Sequence, residues 1–263
     1  MTRSRLTLLS TICAAAVAGA SGTARAETTV APPPGGSTPA PQPEPAPAPA
    51  PANAALSDER MLTTWAHPLE AVPVYARPDT HSRRVSHLHL QTEDGFDEVY
   101  LLLSIHTDAR GREWVRLRIP GRPNGRTGWV QRESLGSFHQ THWRVVINLR
   151  DRRLSAYFKG HIRFTAPVGV GKPSSPTPPG RFWIREIFRI KDRGNPYWPY
   201  ALGTADYSTL TDWPGGGVVG IHGDFGEPQL IPGDPSHGCV RLHAADIARL
   251  ATRVSLGTPV QIR

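Results

Sequence analysis

The sequence predicts a mainly β, exported protein with two folded domains. Short apolar or alternating runs recur between clusters of glycine, proline, asparagine and aspartate, a pattern typical of strands joined by turns. Only one stretch, at residues 242–251, carries an apolar face at helical spacing. A leader and a long stretch rich in proline and alanine precede the strands, and this order is typical of an exported chain.

Residues 1–26 have the features of a secretory signal peptide. Arg3 and Arg5 provide the positive start, residues 6–20 are mostly apolar, and Ala24 and Ala26 satisfy the small-residue rule for cleavage. The alternative is an uncleaved anchor, but the apolar run is short for a membrane-spanning helix. We therefore expect no stable membrane span after cleavage, and a product located in the periplasm or at the cell wall outside the membrane.

Residues 27–59 form a low-complexity segment in which proline alternates with alanine. Proline lacks the amide hydrogen that helices and interior strands need, so this composition favours an extended polyproline II spacer. Simple disorder is the alternative interpretation. Both interpretations predict a linker outside the folded core.

Residues 60–136 are predicted to form a small β domain, with strands near 71–75, 99–106, 114–119 and 128–131. The pieces at 74–78 and 114–117, together with the Gly-Trp-Val at 128–130, resemble bacterial SH3-like domains. That resemblance implies a small β-barrel that binds cell-wall components and performs no chemistry.

Residues 143–263 are predicted to form a second β-rich domain. A hairpin opens it, a proline-rich break follows at 176–180, and one helix lies near the C-terminus. The expected strands are 143–149, 154–158, 162–170, 181–185, 218–222 and 258–262.

Cys239 is the one cysteine outside the leader, and two histidines lie close to it in sequence. Because only a thiolate attacks efficiently, a nearby imidazole that takes the thiol proton makes a minimal nucleophile–base pair. His237 precedes Cys239 with one glycine between them, and His222 lies upstream. A zinc site built from His222, His237 and Cys239, or an inert buried thiol, remains open on residue types alone.

Three ordered motifs in residues 143–263 resemble the L,D-transpeptidase (YkuD-like) catalytic domain. The first is the opening hairpin, and the second is Thr-Pro-Pro-Gly-Arg-Phe at 177–182. The third is His222 followed by Ser-His-Gly-Cys at 236–239. The residue two positions after the cysteine is usually asparagine in the family and is Arg241 here, which puts the details of substrate contact in doubt.

The resemblance implies a reaction on peptidoglycan stem peptides. The cysteine attacks the amide between the third and fourth stem residues, the fourth residue leaves, and the thioester passes to an amine. Hydrolysis alone, as in an L,D-carboxypeptidase, is an alternative, and so is an inactive wall-binding protein. No cofactor and no metal are expected.

The resemblance also implies a role for each residue of this chain that matches a position in the family's motifs. Cys239 is the expected nucleophile and His222 the expected proton acceptor, with the Gly223 carbonyl on the other imidazole nitrogen. Backbone amides of Gly238 and Cys239 are candidate oxyanion donors. The remaining expected site residues are His237 beside the nucleophile, Ser236 as a loop-fixing hydroxyl, and Arg241.

Two assignments stay open. Arg241 either binds a substrate carboxylate or forms a structural ion pair, with Asp224 as one partner considered. The aromatic run at 197–200 either covers the substrate or packs on the sheet.

The charge balance favours anionic partners. Thirty lysine and arginine residues against 22 aspartate and glutamate residues give a formal charge of +8, which suits an anionic cell envelope. The arginines are scattered and form no basic block interleaved with aromatics, so no nucleic-acid partner is expected.

Overall fold

The first half of the described chain is an eight-stranded antiparallel sheet. The computed structural model describes residues 53–212 and 214–263. The strand order is β4-β3-β7-β6-β5-β2-β8, and β1 also pairs with β5. The strands are β1 (Asn53–Ala55), β2 (Thr63–Ala66), β3 (Pro73–Tyr75), β4 (Arg84–His87), β5 (Tyr100–Thr107), β6 (Glu113–Arg118), β7 (Thr127–Gln131) and β8 (His139–Thr141).

The three longer strands of this sheet and the short strand β3 follow the sequence patterns, whereas the other short strands do not. The four runs expected between residues 71 and 131 correspond to β3, β5, β6 and β7. Strands β1, β2, β4 and β8 have three or four residues each, too few for a period of two to stand out. The linker was expected to continue to residue 59, whereas β1 already pairs with β5 through Ala54 opposite Ile105. The expected signal peptide, and the linker up to residue 52, lie outside the described residues.

The second half is a ten-stranded mixed sheet with one helix. Its order is β11-β10-β9-β18-β13-β14-β15-β17-β12-β16. The elements are β9 (Trp143–Asn148), β10 (Arg153–Phe158), β11 (His161–Pro167), β12 (Gly169–Gly171), β13 (Gly180–Arg189), β14 (Tyr200–Tyr207), β15 (Val218–His222), β16 (Gly233–Ser236), β17 (Val240–Arg241), α1 (Ala244–Ala251) and β18 (Pro259–Ile262). The mainly β class with one helix is therefore confirmed.

Helix α1 anchors the segment that carries Cys239. Ile247, Leu250 and Ala251 are its buried residues, and they join the core of the second sheet. Val240 and Leu242, between the cysteine and the helix, are fully buried. Since each buried aliphatic side chain contributes roughly 1.5–3 kcal/mol, these contacts fix the backbone on one side of the thiol. No helix in the described part of the chain is long and apolar enough to cross a membrane.

The two sheets share a core and do not form independent bodies. Trp65, Val99 and Leu101 of the first half belong to the same hydrophobic cluster as the second sheet, while a separate cluster fills the first. The indole Nε1 of Trp183 donates to the Val99 carbonyl at 2.6 Å. The two sequence segments therefore fold as packed neighbours.

A buried ion pair crosses this joint. Arg185 Nε donates to Glu98 Oε1 at 2.7 Å, a second guanidinium nitrogen binds the other Glu98 oxygen, and both side chains are almost fully buried. Glu93 lies 3.1 Å from the same guanidinium, and Tyr207 accepts from it at 3.0 Å. Burial opposes the positive charge of Arg185, but its bonds with Glu98 outweigh burial and raise the pKa above the usual arginine value.

We predict that Glu98→Ala lowers the free energy of unfolding by about 3 kcal/mol, because it leaves a buried guanidinium without its main partner. Urea denaturation measures the change. The double variant Glu98→Leu with Arg185→Met should lose less than Glu98→Ala, since it removes both charges. Glu133→Ala, at an exposed carboxylate, is the control and should behave like wild type. Equal losses in the single and double variants would contradict this account.

Candidate active site

His222 and Cys239 are brought together by two parallel strands. His222 is the last residue of β15, and Cys239 directly precedes β17. The register pairs Ile221 with Val240 and His222 with Arg241, which places Cys239 beside Gly220. The Gly220 amide donates to Cys239 Sγ at 3.4 Å.

Gly220 leaves the space that the two side chains share. A Cβ built at this position would lie 3.6 Å from His222 Cδ2 and 3.9 Å from Cys239 Sγ. Any longer side chain there would extend between the imidazole and the thiol. The sequence analysis missed this role, although Gly220 stands two residues before the histidine of the motif.

The His222 imidazole is buried and held in one tautomer. Its Nδ1 lies 2.8 Å from the Gly223 carbonyl, which can only accept a hydrogen bond, so Nδ1 carries the proton and Nε2 is left as a proton acceptor. The pKa of His222 is lowered to about 4: burial is the main cause, the Gly223 hydrogen bond opposes it, and the positive charge of Arg241 adds a smaller decrease. The ring is therefore neutral at pH 7.

The Cys239 thiol is also neutral in this state. Burial is the main cause that raises its pKa above the usual thiol value; the Gly220 amide and the Arg241 charge lower the pKa, and Asp206 adds a smaller increase. A neutral thiol beside a neutral imidazole requires proton transfer before the sulfur can attack.

Four hydrogen bonds fix the loop that carries the thiol. Thr177 Oγ1 donates to the Gly238 carbonyl at 2.8 Å and accepts from the Gly171 amide at 2.8 Å. Ser236 Oγ donates to the Cys239 carbonyl at 2.6 Å and accepts from the Gly238 amide at 3.1 Å. Thr177 of the Thr-Pro motif and Ser236 of Ser-His-Gly-Cys thus both hold Gly238, and Ser236 also holds Cys239.

Gly238 sits in a conformation that favours glycine. Its φ is +124°, and a Cβ there would lie 3.2 Å from Ser208 Cβ. Its amide, one of the two expected oxyanion donors, is engaged by Ser236 Oγ in this structure. The Cys239 amide stays the candidate donor for an oxyanion.

His237 lies at the exposed rim beside Lys172. Lys172 Nζ is 2.8 Å from His237 Nε2, and because an ammonium group can only donate, the imidazole nitrogen accepts. Ser175 Oγ donates to the His237 carbonyl at 2.7 Å. Sequence analysis missed Lys172, although it is one of only three lysines in the chain and directly follows Gly171 in the glycine-rich run before the Thr-Pro motif.

Arg241 is almost fully buried and forms an ion pair. Its Nη1 donates to Glu227 Oε2 at 2.7 Å, and its guanidinium carbon lies 4.6 Å from the centre of the Phe225 ring. The ion-pair partner is therefore Glu227, whereas Asp224 accepts from the Gly226 amide. The arginine also borders the cavity that contains Cys239, and its Nε has no hydrogen-bond partner among the described residues.

The aromatic run at 197–200 was expected either to cover the substrate or to pack on the sheet, and its residues differ: Tyr197 lies at the site and Tyr200 packs on the sheet. Tyr197 lies edge-on to the His222 ring with centroids 4.6 Å apart, and 5.5 Å from the Phe225 ring centre. Tyr200 begins β14 and packs against the core. Only Tyr197 of this run borders both cavities described next.

Two cavities meet at the thiol. The smaller one, about 120 Å³, extends from Cys239 towards Ser236, His237 and Arg241. The larger one, about 330 Å³, extends towards Asp94 and Glu186. His222, Tyr197 and Val218 line both. Within residues 53–212 and 214–263, no group of three histidine, cysteine, aspartate or glutamate residues is placed to hold a metal ion.

Comparison with known proteins matches the second half of the chain. Residues 142–262 match the family model for the YkuD L,D-transpeptidase catalytic domain. The chain is 32% identical over 120 residues to a Bacillus licheniformis protein provisionally named L,D-transpeptidase YkuD, and 30% identical to its Bacillus subtilis counterpart. Each alignment covers 46% of this chain and 65% of the relative, so the chain spans just under two thirds of the relatives' length.

Solved structures are similar over the same region. The Ldtfm–avibactam carbamoyl enzyme is 26% identical, covering 46% of this chain and 48% of that chain, with a TM-score of 0.36. A cysteine-to-serine mutant of an Enterococcus faecium L,D-transpeptidase is 25% identical, with coverages of 46% and 49% and a TM-score of 0.36. Over residues 142–262, the chain is therefore similar to the L,D-transpeptidase catalytic domain of the YkuD family.

Proposed function

We propose that this protein is a cysteine-dependent L,D-transpeptidase that acts on peptidoglycan stem peptides. The observation that carries the proposal is the neutral Cys239–His222 pair at the junction of two cavities. A site that opens on two sides can hold an acyl donor on one side of the sulfur and an amine acceptor on the other. This arrangement suits acyl transfer through a thioester.

In the proposed first half-reaction, the Cys239 thiol gives its proton to Nε2 of His222 while the sulfur attacks the carbonyl carbon of the third stem residue. The bond from that carbon to the amide nitrogen breaks. The departing D-amino acid takes the proton from the imidazolium, which leaves a thioester and a neutral His222. The bond from His222 Nδ1 to the Gly223 carbonyl keeps the ring oriented throughout.

In the proposed second half-reaction, a neutral amine of a neighbouring stem attacks the thioester carbon. The carbon–sulfur bond breaks, and the proton that the amine loses passes through His222 to the sulfur. Water in place of the amine gives hydrolysis, the L,D-carboxypeptidase outcome. The large second cavity favours transfer as the main reaction because it has room for an acceptor.

The base assignment favours His222 over His237. His222 is buried, has its Nε2 left as an acceptor, and shares the Gly220 space with the thiol. His237 is exposed and contacts the Lys172 ammonium. We propose that Arg241, and Lys172 through its hydrogen bond to His237, provide positive charge at the smaller cavity, where the terminal carboxylate of the donor stem would bind.

We also propose that residues 60–136 contribute an SH3-like wall-binding module and that the chain is exported. The first sheet, the formal charge of +8 and the leader pattern support these proposals. The intact Cys239–His222 pair argues against an inactive wall-binding protein.

The proposed activity predicts that purified protein, incubated with a disaccharide-tetrapeptide, releases the terminal D-residue and forms cross-linked dimers. Mass spectrometry detects both products and separates transfer from hydrolysis. Cys239→Ala should abolish both products, because no other described residue replaces the sulfur. The proposal fails if wild type gives no product or if Cys239→Ala gives the same amount.

A second prediction concerns the loop that holds the thiol. Thr177→Val keeps the side-chain shape but removes both hydroxyl hydrogen bonds, so we expect the rate of acyl-enzyme formation to fall about tenfold or more. Intact-mass measurements during reaction with a carbapenem give that rate. Thr165→Val, at an exposed position on β11, is the matched control and should react like wild type. Equal rates for both variants would show that the Thr177 bonds do not position Cys239.

A further inference from the structure

The two cavities differ in charge. The smaller cavity is lined by Arg241 and His237, and His237 contacts the Lys172 ammonium. The lining of the larger cavity contains two carboxylates, Asp94 and Glu186, and no lysine or arginine among the described residues. A group drawn into the larger cavity by charge would therefore be a cation.

The Glu186 side chain is buried, and one of its carboxylate oxygens lacks a hydrogen-bond partner among the residues that the structure describes. Only 4% of its surface is exposed, and its Oε1 has no hydrogen-bond partner in the described chain. Glu186 faces Gly203 on the neighbouring strand, where a Cβ would overlap Glu186 Oε2. Because Gly203 has no side chain, the Glu186 carboxylate fits against this strand. One carboxylate oxygen has no hydrogen-bond partner in the described part of the fold, and burying an unpaired oxygen costs free energy unless a ligand donates a hydrogen bond to it.

Arg185, the neighbour of Glu186 in sequence, does not pair with the Glu186 carboxylate. The Arg185 guanidinium is committed to Glu98, Glu93 and Tyr207. Burial raises the pKa of Glu186 to about 7, the Thr92 hydrogen bond opposes this, and the negative charge of Asp94 raises the pKa again. A bound cation would favour the ionised carboxylate.

Asp94 reaches this cavity from the first half of the chain. Its turn is closed by the Thr92 amide, which donates to the Phe96 carbonyl at 2.8 Å. Phe96 packs edge-on against Phe188 of β13 with ring centres 4.8 Å apart. The turn is therefore held over the sheet that carries Glu186, and the first half of the chain completes a wall of the larger cavity.

We propose that Glu186 and Asp94 form a subsite for a primary ammonium group, through which the larger cavity selects the amine acceptor. The bound ammonium gives one proton to the Glu186 carboxylate, and the resulting neutral amine attacks the thioester carbon. This inference rests on the proposed transpeptidase function and adds the residues that recognise the second substrate. It assigns to the segment at 92–96 a role in acceptor choice, separate from wall binding.

The test uses Nα-acetyl-lysine amide as acceptor, because it presents one primary ammonium and no other charge. Hydroxylamine, which is uncharged at mildly alkaline pH, is the neutral comparison nucleophile. We expect Glu186→Gln to lower transfer to the ammonium acceptor about tenfold, and Asp94→Asn to lower it about threefold. Carbapenem acylation and hydroxylamine trapping should remain at wild-type rates in both variants. Mass spectrometry quantifies each product.

Glu133→Gln is the matched control, since it removes one exposed carboxylate outside the cavity lining. It should leave both nucleophiles unaffected. Asp94 is exposed, so its variant keeps the test informative if Glu186→Gln folds poorly. Wild-type transfer to Nα-acetyl-lysine amide in both variants, or an equal loss with hydroxylamine, would overturn the proposal.

A binding measurement separates this proposal from the function on which it rests. Cys239→Ser removes the reactive sulfur but keeps both carboxylates. Titration of this variant with Nα-acetyl-lysine amide, followed by NMR, should show binding that weakens about tenfold when Glu186→Gln is added. Binding that does not change on that addition refutes the subsite, whereas a failure of wild type to form an acyl-enzyme refutes only the transpeptidase activity.

Discussion

The hydrogen bond from His222 Nδ1 to the Gly223 carbonyl is the interaction on which the site depends. It satisfies a buried ring nitrogen, selects one tautomer and leaves the other nitrogen as an acceptor beside the thiol. Without that bond a buried imidazole could rotate or take the other tautomer, and Cys239 would lose the base proposed for it. The neighbouring strands, the Thr177 and Ser236 hydroxyls and the buried residues around α1 all hold the backbone on which this pair is set.

The joint between the two sheets has consequences for the site as well as for stability. The turn that presents Asp94 to the larger cavity belongs to the first half of the chain, and the Glu98–Arg185 pair lies at the same joint. A second connection between the two sheets is made where the Asn124 amide donates to Asp206 Oδ1 at 2.7 Å and the Arg122 guanidinium donates to the Ser208 carbonyl. Ser208 lines the smaller cavity. Loops of the first half therefore line or support both cavities. A substitution that alters the packing between the two sheets would also shift residues around the Cys239 thiol.

The sequence alone predicts Cys239 as a candidate nucleophile and His222 as its candidate base, because these residues lie in short motifs with characteristic spacing. It also predicts the helix and most of the longer strands, but it does not predict the eight-residue strand β14 (Tyr200–Tyr207). The ion pair from Arg241 to Glu227 could not be chosen over Asp224, because the choice depends on how the loop after β15 turns. Glu186 and Asp94 carry no motif, and they meet only because β13 and a turn of the other sheet pack together. The engagement of the Gly238 amide by Ser236 likewise depends on a side-chain rotamer, which no residue pattern encodes.

The central claim is that the resting pair is a neutral thiol and a neutral imidazole protonated at Nδ1. Nitrogen-15 NMR of histidine-labelled protein, with His222→Gln used to assign the signal, tests it directly. We predict a protonated Nδ1 and an unprotonated Nε2 at neutral pH, with the ring charging only near its depressed pKa of about 4. An imidazolium with both nitrogens protonated at neutral pH would contradict the account, because the site would then rest as a thiolate–imidazolium ion pair.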